Sequence, residues 1–308
     1  MNDSNKYLIV FLLITPEVCD QKNNYIISDL NIMELGISTL GHIIDIARAT
    51  KFKNLMDIQF NATEQCLNFT EKNGIEIIEL VIEPPQIIND EYRREYINLI
   101  NSFSIKKQIH APYIDLNLCS YNKRIFEASI ESHIEVIKLS HQIKAKIITI
   151  HPGLANFMIS AIREYNKEQL KNAIHRLLDF SDNQNVLICL ENMPKKAYIM
   201  TDNSNIEELY SNINRKDLYF TFDTSHFYMC DGNVNNLWAK FHHIIKNVHI
   251  VDNLNKKSDT HPPIGSGKLD FKENIDVFRK YSYEGPLIIE LSSINQLNQS
   301  INYINKFL

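Results

Sequence analysis

Short apolar runs recur along the chain and alternate with longer stretches in which apolar residues return every three to four positions. From Met33 onward the runs are ELGIS at 34–38, IEIIELVI at 75–82, QIH at 108–110, KIITI at 146–150, VLICL at 186–190, LYFTF at 218–222, VHIV at 248–251 and PLII at 286–289. Each is largely a continuous apolar run, which marks a strand covered on both faces, as in a parallel sheet. Between them the helical period appears. Helical material is expected within 43–69, less certainly over 52–58, with Gly74 as its stop, and again from about 90 to 102. Ile130, Ile134 and Ile137 predict a long helix over 123–143, and Leu170, Ala173, Ile174, Leu177 and Leu178 predict another. Further helices are expected near 237–245 and 272–281, and Ile294, Leu297, Ile301 and Ile304 close the chain at helical spacing. Eight strand-then-helix repeats predict an α/β fold closed as a (β/α)8 TIM barrel. An open doubly wound sheet is the runner-up, and the chain lacks the glycine-rich nucleotide fingerprint that sheet often carries.

No linker rich in Pro, Gly or Ser divides the sequence, so residues 33–308 are expected to form one barrel domain, preceded by an N-terminal extension at 1–32. The apolar stretch YLIVFLLIT at 7–15 is shorter than the about 20 residues that span a bilayer, and neither a basic flank nor a small-residue cleavage site marks it as a secretory signal. It reads as an extra strand or helix on the domain, or as sequence ahead of a start at Met33. With 44% hydrophobic and 22% charged residues the composition is that of a folded globular chain. A net charge of −5 argues against a general polyanion-binding surface and leaves room for a local basic patch. The five cysteines at 19, 66, 119, 189 and 230 are scattered, with no C-x-x-C pair, as in a reduced, cytoplasmic protein with no membrane partner.

The candidate chemistry lies where strands end. In a barrel of this kind the loops after the strands converge on one mouth. At those positions stand His110, His151, Glu191, Asp223 with His226, His249, and Glu290, while the loop within 247–271 (NVHIVDNLNKKSDTHPPIGSGKLDF) adds Asp259 and His261. Imidazole mixed with carboxylate suits zinc, manganese or iron better than calcium, which prefers oxygen alone. Taken singly, a histidine at a strand end is most often an ordinary polar residue, and Asp223 with His226 could simply cap a helix. Glu191 and Glu290 follow buried runs with no basic residue close by in sequence, and an uncompensated carboxylate there is costly. Recurrence at successive strand ends is what points to a metal site. Tyr113, just past His110, is expected to overhang the mouth. His42, His133, His141, His175, His242 and His243 fall in or beside helices and carry no expected role.

The ordered set HAPY at 110, HPG at 151, EN at 191, DTSH at 223, VHIVD at 248 and D-T-H-x-x-I-G-x-G-K at 259 resembles the endonuclease IV family of the xylose isomerase-like barrels over roughly 105–291. The resemblance implies up to three zinc ions: one held by His110, His151 and the bridging Glu191, a second by Glu191, Asp223, His249 and Glu290, and a third by His226, Asp259 and His261. It implies hydrolysis of a phosphodiester in DNA at abasic sites, with Tyr113 and Ile114 matching loop residues that enter the duplex. The family's opening strand and loop have no clear counterpart around 35–40, and Asn192-Met193-Pro194 replaces its usual small-residue turn. Related sugar or sugar-phosphate isomerases and epimerases share much of the pattern and imply an alternative. There the counterparts of Glu191, Asp223, His249 and Glu290 hold one manganese or magnesium ion, and Glu191 and Glu290 are the catalytic pair that shuttles a proton on a small sugar.

Overall fold

Eight parallel strands follow one another around a closed ring, each hydrogen-bonded to the next in sequence and the last to the first. The computed structural model describes residues 33–49, 54–83 and 90–308, so the readings of 1–32 and of the stretch at 7–15 lie outside the described residues. The strands are β1 (Glu34–Ser38), β2 (Ile77–Val81), β3 (Lys106–His110), β4 (Ile147–Ile150), β5 (Leu187–Glu191), β6 (Leu218–Asp223), β7 (Ile245–Ile250) and β8 (Pro286–Ile289). Closure comes from β8 pairing with β1 in the register Leu35↔Leu287, Gly36↔Ile288 and Ile37↔Ile289. This is a (β/α)8 TIM barrel, the architecture the alternating runs predict.

The helices are α1 (Leu40–Ala49), α2 (Leu55–Lys72), α3 (Asp90–Asn101), α4 (Lys123–Ile143), α5 (Ser160–Ser181), α6 (Asn203–Ile213), α7 (Thr224–Met229), α8 (Val234–Phe241), α9 (Phe271–Lys280) and α10 (Leu297–Ile304). The helical material expected within 43–69 falls in two helices, α1 and α2. Asn54 starts the second, its side chain accepting from the Asp57 amide and so satisfying a donor that the first turn leaves free. The helix expected at 237–245 stops at Phe241, because β7 begins at Ile245. Helix α6 has no counterpart among the expected elements, and α7 is the helix that the capping alternative for Asp223 implied. Asp202 caps α6 through the amides of Ser204 and Asn205, and Asp223 caps α7 through the amide of His226.

Strand alternation stacks the barrel interior in layers, since residues two apart share a face. At the floor, Gly36 leaves the space that Ile288 and Ile77 fill; a Cβ at 36 would lie 2.4 Å from Ile288 Cδ1 and 2.9 Å from Ile77 Cβ. Two residues further along each strand the interior turns polar. Glu79, Gln108, Thr149, Thr221 and Asn247 are all buried there. They are linked to one another: Gln108 Nε2 donates to Glu79 Oε2 (2.8 Å) and Asn247 Oδ1 (3.0 Å), Asn247 Nδ2 donates to Thr149 Oγ1 (3.0 Å), and the Thr149 and Thr221 hydroxyls are 2.8 Å apart. A further step along most strands reaches the residues at the mouth. Outside the sheet, the single tryptophan, Trp238, stacks on Phe278 at 4.5 Å and meets Phe222 and Tyr283 edge-on.

Candidate metal centre

His110, Glu191 and Asp223 are the last residues of β3, β5 and β6, His249 is the penultimate residue of β7, and His151 and Glu290 directly follow β4 and β8. They therefore point into one space from six successive strands. His226 reaches it from α7, one turn past Asp223, and Asp259 and His261 come over the top from the loop after β7. Four groups of potential ligand atoms, each within 4.8 Å of one another, include all nine residues: three that share members, His110, His151, Glu191; Glu191, Asp223, His249; and His110, His249, Glu290; and a separate one, His226, Asp259, His261. The structure thus brings together every site residue named from the sequence.

Glu191 is the hub. Its Oε2 lies 2.9 Å from His151 Nε2 and 3.5 Å from His110 Nε2, and its Oε1 lies 3.1 Å from His249 Nδ1 and 3.5 Å from His226 Nδ1. His249 Nδ1 is also 3.9 Å from both Asp223 Oδ2 and Glu290 Oε2. At the outer group, Asp259 Oδ2 sits 3.1 Å from His226 Nε2 and 2.8 Å from His261 Nε2. Ser225 Oγ donates to Asp259 Oδ1 at 2.7 Å, which fixes the carboxylate plane. His261 holds a left-handed backbone, φ 44°, a conformation that costs a non-glycine residue about 1–3 kcal/mol. It persists because the loop around it is tied down.

That tie is Asp252, fully buried at the start of the loop. Its Oδ2 accepts from the amides of Gly265 (2.9 Å) and Gly267 (2.7 Å). Its Oδ1 accepts from Asn253 (2.8 Å), Lys268 (3.1 Å) and Leu269 (3.3 Å). Five backbone donors on one carboxylate close the loop that carries Asp259 and His261. Gly267 is required at this approach, since a Cβ there would stand 2.1 Å from Asp252 Oδ1. A second brace is Asn192, whose side chain accepts from the Asp223 amide (2.8 Å) and donates to the Asp223 carbonyl (3.0 Å). The Asn192 carbonyl accepts from His226 Nδ1 at 2.9 Å, which turns His226 Nε2 toward Asp259 Oδ2, 3.1 Å away. His110 is set the same way, Nδ1 on the Ala111 carbonyl at 2.9 Å. An imidazole whose one nitrogen donates to a carbonyl can offer the other to an ion that displaces its proton.

The electrostatics are those of a crowded, dry cluster. Burial lowers the His110 imidazole, but Glu191, Glu290 and Glu79 more than reverse this and carry it up to about 9. His151 shares Glu191 with that charged neighbour, and burial holds it down to about 4. Burial also pushes Asp223 up to about 7, against the pull of His226. Glu191, although buried, is held well below the usual carboxylate range by His249, His151 and His110. Four buried atoms facing this space make no well-directed hydrogen bond: Glu191 Oε2, Asp223 Oδ2, His261 Nδ1 and Glu290 Oε1. Leaving such groups unpaired costs about 1–3 kcal/mol each. A mixed nitrogen and oxygen donor set with unpaired, inward-facing atoms fits borderline divalent cations such as zinc or manganese.

The cavity between these residues is about 100 Å³ and is walled on the remaining side by Leu40 and Val81. Tyr113 lies across it, its ring 4.8 Å from His151 and 5.2 Å from His110, with the following Ile114 exposed. The histidines set aside in the sequence stay apart from these groups. His133 gives Nδ1 to the Ser129 carbonyl, His175 Nε2 meets the Ile213 carbonyl, and His242 Nδ1 meets the Trp238 carbonyl. What the sequence reading missed lies one layer down. Glu79, in the middle of β2 and fully buried, places both carboxylate oxygens 3.2 Å from His249 Nε2. Its signal was available: a carboxylate at the centre of the apolar run IEIIELVI, where a charge needs a partner.

A family model described as xylose isomerase-like TIM barrel matches residues 67–307. An uncharacterized protein of Methanocaldococcus jannaschii is 29% identical over 212 residues, covering 69% of this chain and 81% of the relative. A probable endonuclease 4 of Malacoplasma penetrans is 26% identical over 176 residues, 53% of this chain and 59% of its own length. Among solved structures, a D-tagatose 3-epimerase-like protein superposes with a TM-score of 0.75 at 21% identity, covering 89% of this chain and 97% of its own, a likeness of fold.

Proposed function

The chain belongs to the xylose isomerase-like TIM barrel family, and from that premise we propose that it is a metal-dependent phosphodiesterase that cleaves DNA at abasic sites, using up to three zinc ions. The observation that carries the reading is the completeness of the ligand groups. A one-ion sugar enzyme needs only Glu191, Asp223, His249 and Glu290, yet His226, Asp259 and His261 form a separate group of their own, and His110 and His151 converge on the far oxygen of Glu191. In this reading His110, His151 and Glu191 hold one ion, Glu191, Asp223, His249 and Glu290 a second, and His226, Asp259 and His261 a third. Bound divalent ions supply Lewis acidity and offset the charge of a phosphate at the scissile bond. The chain's own residues do the rest. Glu191 ties two of the groups together, Asp252 and Ser225 hold the outer group in place, and Tyr113 covers the cluster and limits access of bulk water from its side.

The alternative is a manganese- or magnesium-dependent isomerase or epimerase of a small sugar or sugar phosphate, with Glu191 and Glu290 as the acid and base. It is favoured by the contact of His249 Nδ1 with Glu191, Asp223 and Glu290 together. Metal content of protein purified without chelator separates the two. Close to three zinc ions per chain is expected, and a single manganese or magnesium would overturn the hydrolase. His261→Ala provides the second test, on a duplex with one abasic site and on a panel of ketoses. Loss of strand cleavage with one ion fewer is expected; unchanged cleavage would refute a role for the outer group.

A further inference from the structure

We propose that Glu79 is a positioning residue for the metal centre: it holds the proton of His249 on Nε2, so that Nδ1 faces the ion ligands as a lone pair. The inference rests on the metal-centre reading and adds a residue from the polar layer beneath it. His249 is the exception among the inner imidazoles. His110 and His226 are oriented by backbone carbonyls on Nδ1, whereas His249 turns Nδ1 toward Glu191, Asp223 and Glu290 and needs its orienting partner on Nε2. Glu79 is the acceptor there, with both oxygens at 3.2 Å.

Counting hydrogens shows why no other group substitutes. Asn247 Nδ2 also lies 3.1 Å from His249 Nε2, but its two hydrogens have acceptors in Glu79 Oε2 (3.2 Å) and Thr149 Oγ1 (3.0 Å). Gln108 Nε2 spends its pair on Glu79 Oε2 and Asn247 Oδ1. Glu79 Oε2 is thus shared among donors, and Oε1 has no well-directed hydrogen bond, only the His249 contact. A metal-bound imidazole held by a carboxylate on its other nitrogen is fixed in both tautomer and orientation, and loss of such a partner weakens metal affinity about 10–100-fold.

The same counting makes Glu79→Gln the sharp test. The new carbonyl takes the place of Oε2 to accept from Gln108 and Asn247, which sets the amide NH2 in the place of Oε1, 3.2 Å from His249 Nε2, and leaves one neutral oxygen to three donors. The NH2 opposes a proton on Nε2 and favours the tautomer that carries it on Nδ1, the wrong nitrogen for an ion. Chelator-stripped wild-type, Glu79→Gln and Glu79→Ala proteins are titrated with Zn2+ in competition with a chromophoric chelator, and folding is followed by Trp238 fluorescence. The expected result is a 10–100-fold weaker affinity for one ion in Glu79→Gln, at least as large a loss as in Glu79→Ala, with a wild-type melting profile and the other ions retained. In the zinc-loaded wild type, NMR should show a slowly exchanging His249 Nε2–H that Glu79→Gln lacks. A group that merely filled space would be replaced without loss by its isostere, so Glu79→Gln protein that binds Zn2+ like wild type overturns the proposal while the metal centre stands. If wild-type protein takes up no Zn2+, the metal-centre reading falls, and the role of Glu79 with it.

Discussion

Asp252→Asn is the substitution whose cost can be worked most directly from the geometry. The two residues have nearly the same shape, but each Asp252 oxygen accepts at least two backbone amides: Gly265 and Gly267 on Oδ2, Asn253, Lys268 and Leu269 on Oδ1. Whichever way the carboxamide turns, its NH2 faces amide donors. The smaller loss is the Oδ2 pair, and at about 1.5–3 kcal/mol for each hydrogen bond to a charged group the cost is roughly 3–6 kcal/mol. Because the damage is confined to one loop, it should appear as local opening before global unfolding. At about 1.4 kcal/mol per factor of ten, hydrogen exchange of the Gly265 and Gly267 amides should quicken by roughly a hundredfold to ten-thousandfold. Zinc content should fall by the ion assigned to His226, Asp259 and His261, with the Glu191 groups still loaded. Unchanged exchange at Gly265 and Gly267 in Asp252→Asn protein would refute the claim that this carboxylate closes the loop.

Gly267→Ala should reproduce that phenotype by steric means, since its Cβ would lie 2.1 Å from Asp252 Oδ1; wild-type zinc content in this variant would argue against it. Gly36→Ala overfills the barrel floor beside Ile288 and should lower stability by about 1–3 kcal/mol in urea titrations, with the ligand groups intact. His42 is buried and its imidazole lowered to about 4, chiefly by burial and against the pull of Asp45, so below its unfolded value of 6.5 the folded chain binds fewer protons than the unfolded one. Its contribution is therefore fully present above pH 6.5 and lost as pH falls toward 4; roughly 2 kcal/mol is gone at pH 5, a loss that His42→Leu should abolish when denaturation at pH 7 and pH 5 is compared. Chelation should lower the melting temperature, since an ion at a hundred times its Kd adds about 2.7 kcal/mol. A melt insensitive to chelator would contradict tight binding in the folded state.

The barrel was legible because each strand, buried on both faces, writes itself as an apolar run, and the long amphipathic helices between keep their period. Helix α6 does carry the helical spacing, in Ile206, Leu209, Tyr210 and Ile213, so its signal was present in the sequence and overlooked, whereas α7 is six residues long and too short to show a period. The nine mouth residues could be named because each sits at or just beyond the end of a run, or in the one loop with paired Asp259 and His261. The layer beneath them was not, because Glu79 lies inside a run, Gln108 opens one and Asn247 immediately precedes one, where only knowledge of which face turns inward separates them from ordinary strand residues. Asp252 was part of a recognised motif, but apart from the neighbouring Asn253 its partners lie thirteen or more residues further on, from Gly265, and no local pattern connects them.

Among the described residues the ligand-bearing strands are six in succession, β3 to β8, so their ligands form a horseshoe whose open side falls at β1 and β2, bordered by Leu40 and Val81. In the proposed function, side chains bordering that arc can be exchanged without touching any of the nine ligand residues, so a lineage built on this scaffold is free to trade one clientele for another there while its reactive apparatus is handed down unaltered.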